Sequence, residues 1–93
     1  MIVSADVRNR LADDVMVVPI FSRGAAGPTH VRLIRGAGGI KRDSVLFCEE
    51  LTTIDRDFLS KGPLGPQLDP SQMGEVVRAI RRAVGEVLPE PLL

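Results

Sequence analysis

The chain has no Trp and no Tyr, and only three Phe among its 93 residues. A chain this short buries only about 60–65% of its unfolded surface, so its core is thin. So few aromatic rings make it thinner, and pairing with a second copy is one way to complete such a core. One Cys excludes an internal disulfide framework and any Cys-based zinc site. Cys48 falls in an apolar run and reads as a small buried hydrophobe. One His, His30, has no second His or paired acid at ligand spacing, so no metal site is expected. His30 reads as an ordinary surface or half-buried residue. The 12 basic and 12 acidic residues cancel, which argues against holding duplex nucleic acid by bulk charge. A local basic groove remains open. No apolar run reaches the length of a membrane span, and no basic start precedes a long apolar stretch. A cytoplasmic protein with no cofactor and no membrane contact is expected. Repeats, low-complexity tracts, phosphate loops and nucleophile elbows are all missing.

What remains is a sequence of short elements in one expected domain, 1–93. Residues 1–4 are apolar and β-branched, the start of a short strand. Residues 5–14 are polar and read as a connection with a helical turn, in which Arg8, Asn9 and Arg10 are a solvated bend. Residues 15–20 form a continuous apolar run, expected to be one strand covered on both faces. Pro19 cannot donate to a ladder, so pairing should weaken there. Residues 24–28 are small and read as a loop. Residues 30–35 alternate, placing Val31 and Leu33 on one face and His30, Arg32 and Ile34 on the other. The glycine-rich stretch 36–39 reads as a turn.

The stretch 43–59 says most. An apolar run, Val45-Leu46-Phe47-Cys48, passes straight into Glu49 and Glu50. As a strand it places Val45, Phe47 and Glu49 on one face. A Thr52-Thr53-Ile54-Asp55 turn is expected next, with Thr53 or Asp55 capping a helical turn over 55–59. Residues 64–68 read as a strand broken by Gly65 and Pro66. Asp69, Pro70 and Gln72 carry the signature of a capped helix start. Met73, Val76, Val77, Ile80, Val84, Val87 and Leu88 then fall on one helical stripe. Pro89 ends the helix, and 89–93 reads as a frayed tail.

Ser44-Val45, Cys48-Glu49 and Thr53-Ile54-Asp55, with Leu59 beyond, resemble the core of the MazF/PemK family, the toxins of toxin–antitoxin pairs. Gly65, Leu68, Asp69-Pro70 and the helix from Met73 follow in the family's order. Residues 1–4 and 15–20 look like its second and third strands, so the resemblance spans 2–87. The family's first strand and Arg-Pro pair would precede Met1, which reads as a shortened or late-started copy. The implied fold is mainly β with α: a small SH3-like barrel of the MazF/PemK/CcdB type with a C-terminal amphipathic helix.

The implied activity is that of a sequence-specific endoribonuclease that needs no metal. The RNA's own 2′-hydroxyl attacks the adjacent phosphate, and the protein supplies a base, an acid and positive charge. The implied partners are single-stranded RNA, a MazE-like antitoxin and a second copy in a homodimer. In the family an Arg before the second strand and a Thr or Ser after the third hold the phosphate. One branch adds an Arg and an Asp flanking the strand Cys. The hydroxyl positions fall here on Phe21 and Ser22, and the flanking positions on Phe47 and Glu49. Ser22 and Glu49 are therefore the expected catalytic residues. The family's arginines have no counterpart; Arg23, Arg32, Arg35 or Arg42 can replace one, and nothing in the sequence chooses among them. Arg23, Arg32, Arg35 and Thr53 make up the expected RNA contacts. The alternative, which the missing arginines leave open, is a catalytically degenerate toxin of the same fold that binds antitoxin, RNA or another protein; the gyrase-poisoning CcdB relative shows by analogy that such a fold can host another activity.

Overall fold

A computed structural model describes residues 1–59 and 67–86. Five short strands run through it: β1 (Asp14–Val17), β2 (Ile20–Phe21), β3 (His30–Leu33), β4 (Ser44–Phe47) and β5 (Thr52–Asp55). Two helices accompany them, α1 (Asp6–Leu11) and α2 (Pro70–Ala83). All pairings are antiparallel: β1 with β5, and β2 and β3 on either side of β4.

The apolar run 15–20 is two strands rather than the single strand expected. Val18 is fully buried, and Pro19, which has no N–H to offer, carries the chain from one sheet into the other. The Pro19 carbonyl still accepts from the Phe47 N–H at 3.2 Å. Residues 1–4 pair antiparallel with β1 through Ile2 and Val17, and the Val3 N–H donates to the Met16 carbonyl at 2.9 Å. The polar connection holds α1, whose Arg8 guanidinium ties back to the Asp14 carbonyl at 2.8 Å.

Two further expectations around β4 need correction. The central strand ends at Phe47, and Cys48–Glu50 is a single 3-10 turn. Thr52–Asp55 is a strand, not a turn: its β-branched Thr52, Thr53 and Ile54 suit a strand, and Val15 and Ile54 pair across β1 and β5. The helical turn after it is present as Arg56–Phe58, capped by the Asp55 carboxylate, which accepts from the Asp57 N–H at 2.8 Å. Residues 36–39 include a 3-10 turn, Ala37–Gly39, that delivers Ile40 to the core.

The start of α2 follows from Asp69 and Gln72. Asp69 Oδ1 accepts from the Gln72 N–H at 2.7 Å, and Gln72 Oε1 accepts from the Asp69 N–H at 3.2 Å. Each satisfies a backbone donor that the first turn would leave orphaned. The helix packs against β3 and the Cys48–Glu50 turn. Its buried line is Val76 and Ala79, with Met73 and Ile80 at the margin. Val77 and Val84, expected on the apolar stripe, are 46% and 77% exposed. The core face is narrower than the stripe and is rotated toward Ala79. Val18, Val31, Leu33, Leu46 and Cys48 complete the cluster beneath the helix. Of the broken strand expected at 64–68, residues 64–66 lie outside the described residues and Gln67 and Leu68 are in no strand; Val87, Leu88 and the tail 89–93 also lie outside the described residues.

Candidate active site

β4 is the middle strand of its sheet, so what leaves its end is held from both sides. Cys48, 1% exposed, anchors the exit; its N–H donates to the Thr29 carbonyl at 2.9 Å. Burial among apolar neighbours, and next the Glu49 charge, push its thiol up to about 11. It is therefore no nucleophile at neutral pH. With Cys48 pinned inward, the turn throws Glu49 and Glu50 outward.

The register of β3 against β4 pairs His30 with Phe47. The two rings stack, with centroids 4.1 Å apart and planes inclined by 14°. Phe21, from β2, tilts against the other side of the sheet's end, 4.7 Å from Phe47 by ring centroid. The loop between β2 and β3 then folds over this stack. At Gly24 a Cβ would lie 2.6 Å and 2.8 Å from two Phe47 ring carbons, so the main chain runs directly on the ring. The loop closes where the His30 N–H donates to the Gly27 carbonyl at 3.1 Å.

Both nitrogens of His30 are engaged. Nδ1 lies 2.7 Å from the Ala25 carbonyl, and Nε2 lies 2.7 Å from Glu49 Oε2. A carbonyl can only accept, so Nδ1 carries a proton. An ionised carboxylate also only accepts, so Nε2 carries the second, and the pair is imidazolium and carboxylate. The Ala25 carbonyl, and after it the Glu49 hydrogen bond, raise the His30 pKa above its ordinary value. Desolvation works against ionised Glu49, but the His30 hydrogen bond, a main-chain hydrogen bond, the His30 charge and the Thr29 hydroxyl together hold its pKa below the usual carboxylate value. The arrangement is a partly exposed carboxylate whose Oε2 is held by the His30 imidazole.

A sequence profile described as "PemK-like, MazF-like toxin of type II toxin-antitoxin system" matches residues 1–84. The chain belongs to this family. Endoribonuclease EndoA of Bacillus subtilis (strain 168) is 30% identical over 83 residues, covering 87% of this chain and 70% of that protein. Among solved structures, an endoribonuclease in complex with its cognate antitoxin from a mycobacterial species superposes with a TM-score of 0.79 at 26% identity, over 96% of this chain and 82% of that one. The Mycobacterium tuberculosis toxin MazF-mt6 gives 0.78 at 26% identity, over 90% and 82%. The SH3-like barrel with a C-terminal helix implied by the sequence is the fold of this PemK-like, MazF-like chain.

The expected site residues fall into two groups. Glu49 sits with His30, and Ser22 and Arg23 lead the loop that covers Phe47. Both are exposed, and no hydrogen bond joins Ser22 to Glu49 among the described residues. Arg32 stands two residues along β3 from His30, on the same face. Arg35 lies beyond the other end of β3, where its N–H donates to Asp43 Oδ1 at 2.8 Å. Arg42 is at that far end too, with its carbonyl bonded to the Ser44 hydroxyl at 2.9 Å. Thr53 is exposed on β5, opposite Met16, in the other sheet. Geometry thus favours Arg23 and Arg32 over Arg35, Arg42 and Thr53 as neighbours of Glu49. His30 is what sequence reasoning missed. It is 19 residues from Glu49, and only the strand register brings them together. No group of three or more metal-ligating side chains occurs among the described residues.

Proposed function

We propose that the chain is the endoribonuclease toxin of a type II toxin–antitoxin pair and cleaves single-stranded RNA at the Glu49–His30 site. The observation that carries this reading is the His30–Glu49 contact itself, with the imidazole locked on its far side by the Ala25 carbonyl. Family membership and the activity named for its relatives support the reaction class. The nucleophile, the ribose 2′-hydroxyl, belongs to the substrate, so no water has to be activated. Glu49, whose side chain is 41% exposed, accepts the 2′-hydroxyl proton. O2′ bonds to phosphorus, the P–O5′ bond breaks, and O5′ takes a proton from water. Glu49 then returns its proton to solvent. The products are a 2′,3′-cyclic phosphate and a 5′-hydroxyl, and no water is consumed.

His30 is a positioning residue: it fixes the Glu49 carboxylate and places positive charge beside the developing phosphorane. Ser22 and Arg23, carried by the covering loop, supply a hydroxyl and a guanidinium to the phosphate oxygens. A protein antitoxin of the MazE kind is the expected inhibitor, in keeping with a structural neighbour solved with its cognate antitoxin. Pairing with a second copy would cover Leu11, Ile34, Phe58 and Val84, which are 75–85% exposed. A cytoplasmic location follows from an RNA substrate and a protein inhibitor, and no helix among the described residues is long and apolar enough to cross a membrane.

The test is cleavage of a mixed-sequence RNA by the purified chain in EDTA. Wild type should leave 2′,3′-cyclic phosphate ends. Glu49→Gln should lower kcat by about 10²-fold or more with the fold intact, the scale of losing one group that acts on the transition state. Retained RNA binding without cleavage by wild type would instead identify the chain as a binding module of the same fold.

A further inference from the structure

Beside the site, α2 and β3 enclose an open groove of about 470 Å³. Its floor is Val31 and Ala79, both buried, and its rims carry Arg32 from β3 and Arg78 and Arg82 from α2. Arg78 and Arg82 are four residues apart, so they project from one face of the helix. Glu75 is the sole carboxylate among the described lining residues, and His30 is among them. Three guanidiniums against one carboxylate is a strong local excess in a chain whose net charge is zero.

The pairing pattern sharpens this. Arg81, one residue from Arg82, is turned away and neutralised by both carboxylate oxygens of Glu86. Arg82 reaches the Pro28 carbonyl at 3.5 Å, which ties the helix to the covering loop. Arg32 and Arg78 have no hydrogen-bond or ion-pair partner among the described residues. Two unpaired guanidiniums facing one another over an apolar floor suit an anionic chain. Among the described residues, no aromatic side chain other than the His30 imidazole lines the groove. It therefore offers charge for phosphates and little stacking surface for bases.

We propose that this groove is the subsite for the sugar-phosphate backbone of the RNA strand flanking the cleaved bond, held by Arg32 and Arg78 irrespective of base. The proposal rests on the function argued above. A strand whose reacting phosphate lies at Glu49 must lead its neighbouring phosphates away from the site, and the groove is lined in part by His30, the residue that holds Glu49. An acidic peptide would meet the same charges, but nothing would require it to run on to His30.

The experiment uses a fluorescein-labelled single-stranded RNA of twelve nucleotides, made uncleavable by 2′-O-methylation, with anisotropy measured across a potassium chloride series. Each phosphate contact on a single strand contributes about 0.7 to the slope of log Kd against log salt. Arg32→Gln/Arg78→Gln should weaken binding at least tenfold and lower that slope by about 1.4, with circular dichroism unchanged. On cleavable RNA the double variant should raise KM more than it lowers kcat. Arg81→Gln, from the paired arginine, should change neither. An unchanged Kd and slope in the double variant, with wild-type cleavage intact, overturns the groove and leaves the proposed function standing. Wild-type binding with the expected slope loss but no cleavage does the reverse. Failure of wild type to bind the RNA overturns the groove. So does a double variant that loses binding of an Asp/Glu-rich peptide while keeping RNA, which would assign the groove to a protein partner.

Discussion

Gly24→Ala perturbs the site without touching a reacting group. The added Cβ would lie 2.6 Å and 2.8 Å from the Phe47 ring carbons Cε1 and Cζ. Carbon atoms rest at about 3.5–4.0 Å, so ring and loop must separate by about 1 Å. The ring has little room to retreat, since His30 is stacked on it at 4.1 Å and Phe21 leans on it at 4.7 Å. Overpacking of this kind costs about 1–3 kcal/mol. The Ala also restricts the unfolded chain, which returns about 0.4–1 kcal/mol where the backbone conformation suits it. A net loss of about 1 kcal/mol is expected. The larger effect is on kcat. A ring displaced by about 1 Å carries His30, and with it Glu49, out of position, and displacements of that size cost up to about 10²-fold in rate. Stability is read by urea unfolding followed by far-ultraviolet circular dichroism, because the chain has no Trp or Tyr to report by fluorescence. A double-mutant cycle with Phe47→Leu, which removes the clashing ring, should show a coupling of about 1 kcal/mol. Additive single effects, or a Gly24→Ala protein with wild-type kcat, would refute the account of the covering loop.

Two further expectations follow from the same contacts. The His30 pKa is raised above 6.5 and the Glu49 pKa lowered below 4.5, so the pair contributes fully between those ordinary values. Its contribution is lost on the acid side as pH falls through the folded Glu49 value, and on the alkaline side as pH rises through the folded His30 value. An NMR titration of the sole His should place its midpoint above 6.5, and Glu49→Gln should remove only part of the rise, because the Ala25 carbonyl is its largest cause. A midpoint at or below 6.5 would contradict the doubly bonded imidazole. In α2, Val76→Ala should cost about 2 kcal/mol, from two buried methyl groups plus a cavity. Val77→Ala should stay within about 0.5 kcal/mol; equal losses in urea melts would mean the helix is rotated from its described face.

How far the fold could be read depended on whether each signal was local. Asp69, Pro70 and Gln72 fix the start of α2 among themselves, and the capping box stands where the sequence put it. Val31 and Leu33 alternate with His30 and Arg32, and that alternation was enough to assign their faces. The run 15–20 misled because Val18 is apolar for the core rather than for a ladder, so hydrophobicity hid the break that Pro19 makes. Thr52–Asp55 misled for another reason: Thr52, Thr53 and Ile54 are β-branched and suit a strand, but the partner that pairs with them, β1, lies far off in sequence. Val77 belongs to the helical period but outruns the sheet beneath, and Val84 lies past the end of α2, which stops at Ala83 ahead of Gly85 at φ 97° and not at Pro89 as expected. Glu49 was put forward through family resemblance, whereas its contact with His30 depends on a register that no nearby residue encodes.

The covering loop touches His30 through the main-chain carbonyl of Ala25 and not through a side chain. Every amino acid carries that acceptor. Position 25 can therefore exchange size and charge with the imidazole still held, while Gly24 is confined by the Phe47 ring beneath it. In a saturation library the loop should show one closed position beside an open one. Such a pattern lets a lineage change what the mouth of the site presents to its target and keep the chemistry behind it unaltered.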